Sequence, residues 1–215
     1  MAAIPLKPEY GPTLGQLLAP RWRDASRLAR ALAVTAGVAL VALVVGAALT
    51  LENAHYSHGG PARFGFSYRD LYRTAPEPGE YVKVQRRAHG RLEDSFAVGP
   101  LLLPPYTGAL GAELPLYAAS YIKGLRRRYA GFALGGEGKT LVNSVLAYDI
   151  LYTARVEGRT MFGRNILLAP ELAHPRAGVQ IVMLTSPTAN AQVTTPLEVG
   201  TVGVLELPLY TFTIG

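Results

Sequence analysis

The sequence predicts an α+β fold, a mostly antiparallel sheet with one main packed helix, preceded by one transmembrane helix. Three observations lead there. Residues 31–51 run ALAVTAGVALVALVVGAALTL, 21 residues without a charge or a proline. Several later segments alternate apolar and polar residues with the period of two that a half-buried strand requires. The segment 116–129 instead places its apolar residues at helical spacing.

The elements follow in chain order. Residues 1–30 read as a cytoplasmic tail. They are punctuated by proline and glycine, with a short apolar cluster at Leu14, Leu17 and Leu18 that Pro20 closes. Trp22 suits a membrane interface, where an amphipathic ring is comfortable. The tail holds five basic and two acidic residues, and Arg21, Arg23, Arg27 and Arg30 stand next to the apolar run. At 1.5 Å per residue, a helix over 31–51 is roughly 31 Å long, about one bilayer core. The positive flank keeps the N-terminus inside and sends the rest of the chain out. A cleaved signal peptide has a shorter apolar core, about 7–15 residues. The expectation is therefore an uncleaved signal anchor. With no cysteine in the chain, there is neither a lipoprotein acylation site nor a disulfide framework.

Residues 52–62 read as a polar linker with His55, His58 and a Gly-Gly-Pro stop, and 63–215 as the extracytoplasmic domain. That domain is long enough to be stable by its own core. Phe64–Tyr68, Tyr81–Gln85 and Ser95–Leu103 are strand candidates. Leu116–Tyr129 is the helix, with Ala118, Tyr121, Ile122, Leu125 and Tyr129 on one face. Pro115 suits its first turn and Gly131 its end. Val142–Val156 reads as one long strand, with Tyr148, Ile150 and Tyr152 on the apolar side and Asn143, Asp149 and Arg155 on the polar side. Glu157-Gly158 turns it into a returning strand, Arg159–Leu168. Gly178–Leu184 is a further strand, and Val202–Ile214 gives one or two more.

Composition narrows function. Of the net charge of +6, half sits in the first 30 residues, so the outer part is nearly neutral for its length. Nucleic acid is not an expected partner of such a domain. Arginine outnumbers lysine 17 to 4, a bias that GC-rich bacterial coding explains. Residues 133–140, ALGGEGKT, carry the Walker A spacing with Ala133 in place of the first glycine. The alternating segment after Thr140 is not the helix a phosphate loop needs, and no aspartate follows Asp149. A Gly-rich turn accounts for these residues, and no nucleotide is expected. His55 and His58 would need a third ligand to hold a metal, so no metal and no cofactor are expected. The serines lie in no G-x-S-x-G elbow, and no nucleophile, base and orienter converge in the pattern. The outer acids fall mostly in turns, apart from Asp149. The chain reads as non-catalytic.

Phe64-Gly-Phe-Ser-Tyr68, the helix at 116–129, and Val145-Leu-Ala-Tyr-Asp149 through Glu157-Gly-Arg159 carry a resemblance to the PsbP-like α/β/α sandwich family. The resemblance spans 63–215. Where that family commonly continues into Pro-Trp, this chain has Arg69-Asp70. It implies an assembly factor or binding module and carries over no catalytic residue. The layout of short tail, one span and outer α+β domain is also similar to the cone-like accessory proteins of actinobacterial lipid transporters.

The expected function is thus a membrane-anchored extracytoplasmic interaction or assembly module of a bacterial envelope. The alternative is a small-molecule or lipid-binding module, accessory to a transporter, with an apolar pocket between helix and sheet. Tyr117, Tyr121, Tyr148 and Tyr152 would line that pocket, or else be ordinary core with polar tips. Arg126, Arg127 and Arg128, joined by Arg86, Arg87 and Arg91, would offer a basic patch to anionic headgroups or an acidic partner, or else form a solvated face.

Overall fold

The computed structural model describes residues 26–50, 53–104, 108–170 and 177–215, excepting the side chains of residues 30, 33, 43–50 and 177. The expected tail up to residue 25, the last residue of the expected span, Glu52, Glu171 and His174 lie outside the described residues. The chain divides into two compact units, Met1–Glu52 and Asn53–Gly215.

In the first unit, helix α1 covers Arg27–Thr50. Ser26 starts it, its hydroxyl accepting from the Ala29 N–H at 3.2 Å in the manner of an N-cap. Thr35 turns its hydroxyl back onto the Ala31 carbonyl at 2.9 Å. Leu28, Leu32, Val34, Val38, Leu40 and Val41 are all exposed, between 54% and 72%. Among the described residues no helix is long and apolar enough to cross a membrane.

The second unit is α+β, with antiparallel sheets and one main helix. Its strands are β1 (Ala54–His58), β2 (Phe64–Tyr68), β3 (Tyr72–Thr74), β4 (Val82–Ala88), β5 (Arg91–Leu102), β6 (Ala130–Val142), β7 (Val145–Val156), β8 (Arg159–Leu168), β9 (Ala177–Thr185) and β10 (Thr213–Ile214). The main helix, α2, is Leu110–Arg128, and a short helix, α3, is Glu206–Tyr210. A seven-stranded sheet runs β3-β4-β5-β9-β8-β7-β6, every neighbour antiparallel. A three-stranded sheet runs β1-β2-β10.

Helix α2 covers one face of the large sheet. Leu110, Leu114, Ala118, Ile122 and Leu125 form its buried stripe, packed against Tyr148, Ile150, Tyr152, Met161 and Leu167. The small sheet and the C-terminal turns cover the other face. There Phe64, Phe66, Phe212 and Leu205 meet Val84, Phe96, Ile166, Ile181 and Met183. Burial on both faces explains why β9 reads as a nearly continuous apolar run, as does the end of β8 at Ile166–Leu168.

Several expectations are corrected. Ala54–His58, assigned to a linker, is a strand paired with β2 in the register His55↔Ser67 and His58↔Phe64. Helix α2 begins at Leu110, so Pro115 lies inside it. It ends on extended Tyr129, while Gly131, at φ +62°, belongs to an irregularity of β6. The long strand expected over 142–156 is broken after Val142 by Asn143-Ser144, both at positive φ, which reverse the chain as a two-residue hairpin. The hairpin at Glu157-Gly158 is as expected, with Val156↔Arg159 closing it. Residues 202–214 are mainly a 3₁₀ turn and α3, with two strand residues at the end.

Candidate functional site

The four tyrosines divide into a buried network and its surroundings. Tyr152, on β7, is fully buried and donates its hydroxyl to Asn165 Oδ1 at 3.0 Å. Asn165, itself fully buried on β8, donates Nδ2 to the Tyr121 hydroxyl at 2.8 Å. Loss of hydration pushes the Tyr121 and Tyr152 phenols well above their usual range. Tyr117 stacks on Tyr121 with ring centres 6.1 Å apart, and Phe132 stacks on Tyr152 at 5.2 Å. Gly163 makes this packing possible. It lies opposite Tyr152 in the ladder, and a Cβ there would stand 2.2 Å from the ring. Tyr148 lies elsewhere on β7, its hydroxyl beside Glu137; burial and that carboxylate both raise its pKa. These side chains pin α2 to the sheet. The four clefts around Arg164, Arg86, Arg87 and His55 are lined by none of Tyr117, Tyr121, Tyr148 and Tyr152.

The arginines do not converge on one patch. Arg126, Arg127 and Arg128 occupy the exposed last turn of α2. Arg128 reaches Glu77 at 3.3 Å and lies 5.5 Å from the centre of the Tyr129 ring. Arg87 meets Glu157 at 2.6 Å, and Lys83 pairs with Glu77. These five charged groups share a cleft of about 450 Å³ and largely neutralise one another. Glu157 also accepts from the Leu92 N–H at 2.9 Å. That bond, followed by Arg87, holds its carboxyl below the usual range. Arg86 takes the opposite side of β4. It pairs with the fully buried Asp94 at 2.6 Å and lines a separate cleft of about 230 Å³ with Arg69 and Asp70.

Among the described residues, the ion pair buried on both sides is one not expected from the sequence. Asp149, expected on a solvated face, is 8% exposed. Arg164 Nε donates to both of its carboxylate oxygens at 3.0 Å, and Nη2 lies 2.8 Å from Oδ2. Nη1 donates to the Val199 carbonyl at 3.1 Å, tying the sheet to the C-terminal turns. Arg164 also lines a cleft of about 320 Å³ with Leu141, Asn143, Thr201, Glu206 and Tyr210. A signal was present. An arginine within a returning apolar strand needs a partner, and the hairpin register sets Asp149 opposite Ile166, two residues from Arg164 on the same face.

The Walker-like segment lies within strand β6, so the helix N-terminus of a phosphate loop is not formed there. The expected turn is instead the edge of the large sheet. His55 and His58 alternate across β1: His55 faces the Ser67 hydroxyl at 3.3 Å, and His58 stacks on Tyr81 at 4.3 Å. Among the described residues no group of three or more His, Cys, Asp or Glu could hold a metal ion.

No family model matches the chain, and no curated protein matches it. Solved structures do. Cyanobacterial PsbP (CyanoP) from Synechocystis superposes with a TM-score of 0.52 at 10% identity, over 77% of this chain and 94% of that one. The domain has the PsbP-like fold. LpqN of Mycobacterium tuberculosis, described as involved in cell envelope biogenesis, matches with a TM-score of 0.49 at 10% identity, over 76% of this chain and 91% of that one. The Ran-binding protein Mog1p of Saccharomyces cerevisiae matches with a TM-score of 0.46 at 10% identity, over 76% and 95%.

Proposed function

We propose that this chain is a membrane-anchored extracytoplasmic interaction module of a bacterial envelope, with its PsbP-like domain outside and no catalytic role. The observation that carries the anchor is the exposure of the apolar residues of α1. Six of them stand at 54–72% exposure, a cost in water that a bilayer removes. Thr35 suits the same setting, because its hydroxyl bonds to its own helix. The arginines ahead of the run support the orientation. A binding rather than catalytic role is supported by the pairing of charges at the clefts: Glu77 with Lys83, Glu157 with Arg87, and Arg164 with Asp149.

Thiol labelling on intact cells tests the topology, since the chain has no cysteine of its own. Ser57→Cys, on exposed β1, is expected to react with a membrane-impermeant maleimide, and Thr13→Cys is expected to react only after permeabilisation. The reverse pattern overturns the reading. The Arg164 cleft favours a second reading, small-molecule binding. Asp149 already offsets the guanidinium charge, so that cleft fits a neutral hydrogen-bond acceptor better than an anion.

A further inference from the structure

The large sheet has two edges of unequal character. Strand β3 is three residues long, whereas β6 runs thirteen and, among the described residues, pairs only with β7. Irregularities between Ala130 and Ala133 and between Leu134 and Gly136 break its upper part. From Gly136 to Val142 it pairs one-to-one with Val145–Leu151, so its outer side is a regular edge. Such an edge offers backbone donors and acceptors to another strand.

The sequence of this edge is self-complementary. In an antiparallel pairing of two β6 strands centred on Gly138, Glu137 stands opposite Lys139 of the second copy, and Lys139 opposite its Glu137. Both residues are exposed, and among the described residues neither makes an ion pair within its own chain, although Glu137 lies beside the Tyr148 hydroxyl. They lie on the same face, opposite Ile150 and Tyr148. The same register sets exposed Leu141 opposite Gly135 of the second copy. Directly opposed residues of an antiparallel pair have Cβ atoms about 4.5–5.5 Å apart, within ion-pair reach for these side chains. The glycine at the centre is not required by its own chain: a Cβ on Gly138 would meet nothing within 4 Å. A glycine inside a strand commonly marks close approach of another backbone.

We infer that β6 is the contact through which two copies of this chain associate, by antiparallel edge pairing about a two-fold axis at Gly138. A two-fold contact repeats each interaction, so the two charged residues supply two cross-strand ion pairs. Confinement of both copies to one membrane raises their effective concentration and lets a short pairing suffice.

The full-length chain in detergent tests this by sedimentation and light scattering. Wild type is expected to be dimeric, and Glu137→Lys and Lys139→Glu are each expected to weaken the dimer at least tenfold through like-charge opposition. The double variant E137K/K139E restores opposite pairing and dimerisation. Mixing the two single variants does the same, because one copy then carries two lysines and the other two glutamates. Gly138→Cys, the chain's single cysteine, is expected to cross-link to itself on oxidation. A wild-type monomer at every concentration overturns the proposal. So does a dimer indifferent to both single variants, which would place the contact elsewhere, and so does single-variant weakening that neither the mixture nor the double variant rescues.

Discussion

At the scale of single residues, the Asp149–Arg164 pair and the Glu157 latch make opposite demands on the solvent. The pair is buried, with both side chains near one-tenth exposed. Removing one partner leaves a charge without compensation, so Asp149→Ala is expected to cost about 3–5 kcal/mol, read by denaturant unfolding. Asp149→Ala with Arg164→Met is expected to cost less than Asp149→Ala alone, because the stranded charge goes with its partner. Glu157 is more open, at 38% exposure, and its carboxyl is held low first by the Leu92 N–H and then by Arg87. A depressed carboxyl contributes stability that is fully present above its unfolded pKa, about 4.3, and is lost as pH falls through the folded value. Stability measured between pH 6 and pH 3 should therefore fall less steeply in Glu157→Gln than in the wild type. Equal slopes would mean that the latch does not form in solution. Gly163 is as constrained as either charge, since any side chain there enters the ring of Tyr152.

At the scale of elements, α2 gives the plainest test of the helical face. Leu125 is 5% exposed within the stripe that meets the sheet, so Leu125→Ala is expected to cost about 2–5 kcal/mol. Arg127, on the exposed last turn, should cost within about 0.5 kcal/mol when replaced by alanine. The β6–β7 turn offers a gain. Ser144 sits at φ +71°, where glycine is at ease, and Ser144→Gly is expected to stabilise the domain by roughly 0.5–1 kcal/mol. Asn143 does not invite the same change, because its side chain donates to the carbonyls of Tyr210 and Phe212. These elements also mark where the sequence was legible. Strands β2, β4, β5, β8 and β9 announce themselves by alternation or by apolar runs between turn residues. Strand β6 did not, since four glycines erase its period and the Walker spacing suggested a loop. The Asn143-Ser144 turn was hidden because Val142 shares a parity with Leu146 and Tyr148. In α2, Leu110 and Leu114 lay beyond a proline that reads as a helix start. The site residues fared worse than the elements. Tyr121 and Tyr152 were identified, but only the three-dimensional register shows that Asn165 joins them and that Arg164 anchors Asp149.

At the scale of the whole molecule, the large sheet is buried on both faces, and the cover on one face begins earlier in the chain than its hydropathy suggests. Strand β1 is polar in composition, with two histidines and a serine, and so reads as linker. Its contribution is aromatic. Tyr56 lies against Phe64 and Phe66 with ring centres 5.8 and 5.7 Å away, and His58 stacks on Tyr81 at 4.3 Å. Arg73 adds a cation 5.0 Å from the Tyr56 ring, linking the small sheet to the edge of the large one. A chain begun at Gly60 loses all of this and exposes the β2 edge, whereas one begun at Asn53 keeps it. Five ladder pairs and these ring contacts amount to about 2–4 kcal/mol, taking roughly 0.25–0.5 kcal/mol for each. For a domain of this size, each kcal/mol moves the melting temperature by about 2–4 °C. The chain begun at Asn53 is therefore expected to melt roughly 5–15 °C higher in a calorimetric scan, in one transition. Coincident melting of the two would mean that β1 is not part of the folded unit and that the polar segment is a linker after all.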